Sequence, residues 1–291
     1  VSTAAQIITR IVELQMLGQE ADDCVSLACG ASVVVIFLYS QHPTSLLQTD
    51  VDGLYSGGLA LLRRVGPTPL PAEWWVSTCD RVDVVSFWLG SAMALYVSWK
   101  QFEKSALESA PWVGPVLAEA AHICKINASV GLSTRDTMSF VAVKCALDVV
   151  ECVATMQTHA SALVADVAVV DALEYACMNE FCARGFQNMS LSAYGAGALV
   201  ALVGRNEGGR TLSASALNSV LDHLGLYFVD TLDDNLRAGE PARRVLPFCR
   251  RIATIVIADA NKTIILQHDG VLDWLVTGLL LDKHNPRRGQ D

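Results

Sequence analysis

Basic residues are the first scarcity in this sequence. Lysine and arginine number 21 against 30 acidic residues, a formal net charge of -9. General nucleic-acid binding draws its affinity from a basic surface that displaces counterions, so this balance argues against that class of function. Glycine (20) and proline (9) are too few in 291 residues for a disordered chain, and no low-complexity tract occurs. No Cys-x-x-Cys pair is present among the nine cysteines, an odd number whose closest spacings are five and seven residues. Most lie among Ala, Val and Leu, where a thiol behaves as a small hydrophobe. They read as reduced core cysteines of a cytoplasmic protein rather than disulfides or metal ligands.

A long hydrophobic run is also missing. The strongest apolar stretches, residues 25–39 and 84–99, fall short of the roughly 20 residues needed to span a bilayer. Their flanks are acidic (Glu20, Asp22, Asp23; Asp80, Asp83), with no positive-inside bias. Buried helices are therefore expected, and a helical membrane protein is an alternative. The chain begins at Val1 with no basic flank before an apolar run, so no signal peptide is read. The sequons at Asn127, Asn188 and Asn261 then read as chance matches.

What the chain does have is aliphatic mass: 52% of residues are hydrophobic, only 18% are charged and 7% aromatic. Most helices must then bury more than one side. Helical spacing of apolar residues predicts helices at about 3–17, 21–40, 44–64, 78–105 and 115–126. Further helices are predicted at 137–157, 167–181, 191–203, 214–231, 247–258 (reaching toward 265) and 271–281. The proline-rich stretch 66–75 reads as the clearest loop. Strand–turn–strand patterns are absent, so the fold is expected to be all-α.

A repeat emerges when the helices are aligned. Val169-Val170-Asp171-Ala172-Leu173, Val220-Leu221-Asp222-His223-Leu224 and Val271-Leu272-Asp273-Trp274-Leu275 recur at a step of 51 residues. The preceding helices keep the step, with Val150, Ala201 and Ile252 in register, and Val153, Gly204 and Ile255 likewise. Such a pattern marks a solenoid, in which no unit buries its face alone. The shared aspartate is expected to face solvent near a helix N-terminus, where the helix dipole favours it.

The stretch 252–281, IATIVIADANKTIILQHDGVLDWLVTGLLL, resembles an armadillo repeat. It reads as the third helix of one unit, an N-x-x-I turn, a glycine, and the helix opening the next unit. Residues 199–224 resemble the same join with Ser219 in place of the glycine. The resemblance spans about 145–281 and is faint over 44–64. It implies a right-handed superhelix (α-solenoid) of armadillo/HEAT-like repeats acting as an interaction scaffold. The step of 51 exceeds the 40–47 residues of that class, leaving inserted loops or a HEAT-like variant open. Two regions are expected: 1–132 as divergent helical repeats packed on the rest, and 133–291 as the armadillo-like array. The apolar last helix predicts that repeats continue past Asp291. Nuclear-import members of the family carry Trp and Asn four residues apart on their third helices. Segments 145–157, 196–204 and 249–258 contain neither, which argues against that role.

Chemistry-bearing motifs are sparse. The six histidines are dispersed, His122 and Cys124 are two apart on one predicted helix, and His268-Asp269 reads as a solvated turn. Zinc needs converging ligands that no spacing proposes, so no metal or cofactor is expected. No G-x-S-x-G or H-E-x-x-H occurs, and 204–209 (GRNEGG) reads as a turn rather than a phosphate loop. Two features could meet a partner. Arg243, Arg244, Arg250 and Arg251 cluster where they could dock an acidic protein or peptide. Trp274, and Trp74-Trp75 beside the proline loop, are candidate aromatic hot spots. The expectation is a non-enzymatic cytoplasmic scaffold that binds a protein or peptide on a concave face. An all-α enzyme with a buried pocket is the other alternative.

Overall fold

In the computed structural model the described residues are 69–76, 108, 110, 113–179, 190–203, 210–232, 253 and 255–274. The helices expected at 3–17, 21–40, 44–64 and 78–105 lie outside them, as does nearly all of 247–254. The described residues form eight α-helices and one 3-10 turn, packed against one another, with no strand among them. These are α1 (Ala72–Val76), α2 (Val113–Val130), α3 (Thr137–Val153), α4 (Gln157–Ala165), α5 (Val167–Cys177), α6 (Leu191–Val203), α7 (Ala214–Leu232) and α8 (Asp259–Gln267). None of the described helices is long and apolar enough to cross a membrane. The apolar stretches 25–39 and 84–99 are outside the described residues.

The chain divides into two compact units, one running to Leu163 and the other starting at Val164. In the first, α2 begins with Pro115 in its opening turn, where a missing N–H costs nothing. It buries Val116, Leu117, Ala120, Ile123, Cys124 and Ile126. Gly131 ends it in the left-handed region (φ 63), its amide bonding back to the Asn127 carbonyl at 2.8 Å. After the 3-10 turn Leu132–Thr134, Asp136 caps α3 by accepting from the Ser139 amide at 2.8 Å. α3 packs back on α2, and the 66–75 loop is shorter than expected because 72–76 forms α1 against α2.

The second unit packs α5 on α6, α6 on α7 and α7 on α8. Asp166 caps α5, accepting from the Ala168 amide at 3.1 Å. α6 buries every residue except Ala193 and Tyr194, as its run of Ala, Gly and Leu requires. Gly195 lets it approach α5 closely: a Cβ there would lie 2.5 Å from the Cys177 amide nitrogen.

Three local expectations are corrected. The helix expected over 137–157 stops at Val153, and 157–165 forms a separate helix, α4. The Asn261-x-x-Ile264 segment, expected as a turn, lies inside α8. A break at 256–258 precedes it, so α8 is distinct from any helix before it. The repeated aspartates are exposed as expected, but Asp222 sits in mid-helix rather than near an N-terminus. The reason is local. Gly270 takes φ +88 and separates α8 from the helical turn at 271–274. Ser219, at the equivalent position, permits helix, and α7 runs through without a corner.

The close approach at Gly195 yields a direct test. Gly195→Ala is expected to cost about 1–3 kcal/mol in urea unfolding, since backbone must move to admit the methyl. Gly114→Ala, with nothing within 4 Å of its Cβ, is expected to be neutral or to gain about 0.5 kcal/mol. Equal effects at the two sites would contradict the described α5–α6 packing.

Candidate functional site

Of the residues singled out for partner binding, Arg243, Arg244, Arg250 and Arg251 lie outside the described residues. Trp274 is described and half-buried. Its ring lies over two glycines. A Cβ on Gly225 of α7 would overlap the ring, and one on Gly270 would meet Cζ2 at 3.0 Å. The His268 ring stands tilted beside it, centroids 5.6 Å apart, while His268 Nε2 meets Asp222 Oδ1 at 3.0 Å. Trp274 therefore locks the 268–270 corner onto α7. Around it the surface is mixed: Leu226 and Leu272 are exposed at 57% and 52%, and Asp222, Asp269 and Asp273 are exposed too. Trp75, offered as an exposed hot spot, is instead 1% exposed and belongs to the core. The side chain of Trp74 lies outside what is described.

Polar chemistry in the interior has a different character. Asn261 is fully buried on α8 and makes three hydrogen bonds. Its Oδ1 accepts from the Leu212 amide at 3.0 Å, and its Nδ2 donates to the carbonyls of Arg210 at 2.7 Å and Ile255 at 3.0 Å. The side chain thereby fixes the coil that enters α7. In the first unit Glu119 plays the matching part. It is 5% exposed, and its Oε2 accepts from the Leu70 amide at 2.9 Å while Oε1 accepts from Trp75 Nε1 at 2.8 Å. Both grips reach a buried leucine two residues ahead of a helix, and both span 49 residues of sequence. Asn127 holds a shorter loop the same way, accepting from the Ser133 amide at 2.8 Å. Asn127 and Asn261 are two of the three sequons, and their burial leaves no room for a glycan in the folded chain.

The reactive side chains are similarly committed to structure. Cys124, Cys145, Cys152 and Cys177 are free and buried. Burial pushes the Cys124 and Cys145 thiols up to about 12 and Cys177 up to about 11, so thiolate is scarce at neutral pH. Ser219 Oγ donates to the Cys177 carbonyl at 2.6 Å, tying α7 to the end of α5. Ser192 Oγ lies 2.9 Å from His223 Nε2, a spacing that a nucleophile and its base would share. Ser192 is buried at the start of α6, with Ser190 Oγ 2.5 Å away, so this contact ties α6 to α7. No group of three metal-ligating side chains occurs among the described residues.

Neither a family model nor a curated protein nor a solved structure matches this chain.

Asn261→Ala would leave the Leu212 amide and the Arg210 and Ile255 carbonyls without their partner. At roughly 1–3 kcal/mol per stranded buried group, with partial rescue by water, the expected loss is about 3 kcal/mol in urea unfolding. A loss below about 0.5 kcal/mol would contradict the assigned grip.

Proposed function

We propose that the chain is an armadillo-type α-solenoid and works as a non-enzymatic cytoplasmic scaffold that binds a protein or peptide partner. The observation that carries the reading is recurrence. Val169, Val220 and Val271, at the 51-residue step, are all buried, and Asp171, Asp222 and Asp273 are all exposed. A unit of this kind buries its face against its neighbours, and the outward residues are left to recognition.

Two features would meet a partner in this reading, the second known from the sequence alone. One is the rim around Trp274, where aromatic, aliphatic and acidic groups adjoin. The other is the arginine cluster at 243, 244, 250 and 251, suited to an acidic protein or peptide. The test is a cross-linked pull-down with the full chain, comparing the original with Arg243→Glu, Arg244→Glu, Arg250→Glu and Arg251→Glu combined. Partners captured at low salt are expected to be lost on charge reversal and weakened by salt. Capture that is identical for both chains at low salt would remove the arginine cluster from the account.

A further inference from the structure

The two asparagines that hold coil in place are both acceptor sequons. Asn127-Ala128-Ser129 lies within α2, and Asn261-Lys262-Thr263 lies within α8. The third sequon, at Asn188, is outside the described residues. Asn261 Nδ2 gives one hydrogen to the Arg210 carbonyl at 2.7 Å and the other to the Ile255 carbonyl at 3.0 Å. A carboxamide has no third hydrogen to offer. Asn127 Nδ2 is sealed from solvent, while its Oδ1 holds the Ser133 amide at 2.8 Å. The sequon hydroxyls are engaged within their own helices. Ser129 Oγ donates to the Ile126 carbonyl at 3.0 Å, and Thr263 Oγ1 donates to the Asp259 carbonyl at 3.4 Å.

We infer that N-glycosylation and folding exclude each other at Asn127 and Asn261, so the chain matures only where no oligosaccharyl transferase meets it unfolded. The donor in that reaction is an oligosaccharide linked to a lipid pyrophosphate. Transfer forms a bond from Nδ2 to the sugar C1 and breaks the bond from C1 to the pyrophosphate. The pyrophosphate leaves with the electron pair, and Nδ2 gives up one proton to solvent. The product keeps one N–H where Asn261 uses two, so one of its two carbonyls is stranded. A bulky, strongly hydrated group must also leave the interior. No outward path exists, since Asn261 is 0% exposed and Asn127 1%.

The folded chain therefore hides both acceptors, and only the unfolded chain offers them. Modification of the unfolded chain is irreversible and draws molecules away from the native state. The lumen of the secretory pathway is thereby closed to productive folding of this chain. The exclusion follows from two buried carboxamides and holds whether or not the chain is a scaffold.

The experiment sends the full chain into the endoplasmic reticulum of cultured cells behind a cleavable signal peptide, with Asn188→Gln silencing the third sequon. A companion adds Ser129→Ala and Thr263→Ala, which remove both remaining sequons, keep both asparagines and alter only exposed residues. Each chain is extracted in urea and refolded under dithiothreitol, which reverses any cysteine oxidation acquired in that compartment. Mass spectrometry is expected to find glycan on Asn127 or Asn261 of the first chain, and its cooperative urea transition is expected to be lost. The companion is expected to regain the transition of the same chain made in bacterial cytoplasm. A glycosylated chain that refolds to the companion's urea midpoint would overturn the exclusion. So would a first chain that folds in the endoplasmic reticulum with both asparagines unmodified. Should the companion not refold, folded chain from bacteria is offered to purified transferase and donor beside short peptides spanning each sequon. The peptides are expected to be glycosylated and the folded chain not; glycan on Asn127 or Asn261 of the folded chain would overturn the inference.

Discussion

A buried side chain that hydrogen-bonds the backbone of a segment far upstream is the interaction on which the described structure depends. Helix entries are costly to bury because their first amides lack partners within the helix, and the coil before them has none by default. Exposed entries leave this to water. Leu70 and Leu212 are both buried, so protein atoms must supply the acceptor. Glu119 and Asn261 do so from helices 49 residues later, and each grip also fixes where the later helix sits against the earlier one. Register between successive helices is thereby set by a few directional bonds, with aliphatic contacts filling in around them.

The aliphatic contacts explain the composition. α6 is hydrophobic nearly all round and stays so because α5 and α7 cover it. Small residues bring the backbones together, Gly195 against Cys177 above all. Charged residues are left on few faces, and there they pair loosely. Asp171 lies 3.5 Å from Arg210 and Asp222 lies 3.0 Å from His268, with both aspartates largely exposed. Exposed pairs of this kind contribute at most about 1 kcal/mol, so they add little to stability.

Helical class, the span of α6 and the start of α7 were legible because they rest on periodicity within one element. Gly270 was legible as a corner for the same reason, since glycine is the residue that takes positive φ without strain. Less could be read of α4: QTHASALVA carries no clear apolar stripe, and a bend at Thr155–Met156 parts it from α3. The grips were not legible at all. A glutamate amid alanines or an asparagine in a sequon looks like a surface residue, and nothing within ten residues marks its partner. Trp75 misled for a related reason: beside three prolines it resembles a loop aromatic, yet its indole N–H finds Glu119 and its ring enters the core. Trp274, singled out for partner binding, has a packing role that the sequence does not show, half-buried over Gly225 and Gly270.

The central claim is that coil ahead of a helix is fixed as firmly as the helix by a side chain from a later helix of the same unit. The Leu212 amide tests it most directly, since it lies outside α7 and its acceptor is Asn261 Oδ1. In native-state hydrogen exchange it should be protected to the level of the α7 core amides Val220 and Leu221, opening only with the whole unit. Exchange at the rate of a fraying helix end, with α7 still protected, would contradict the account.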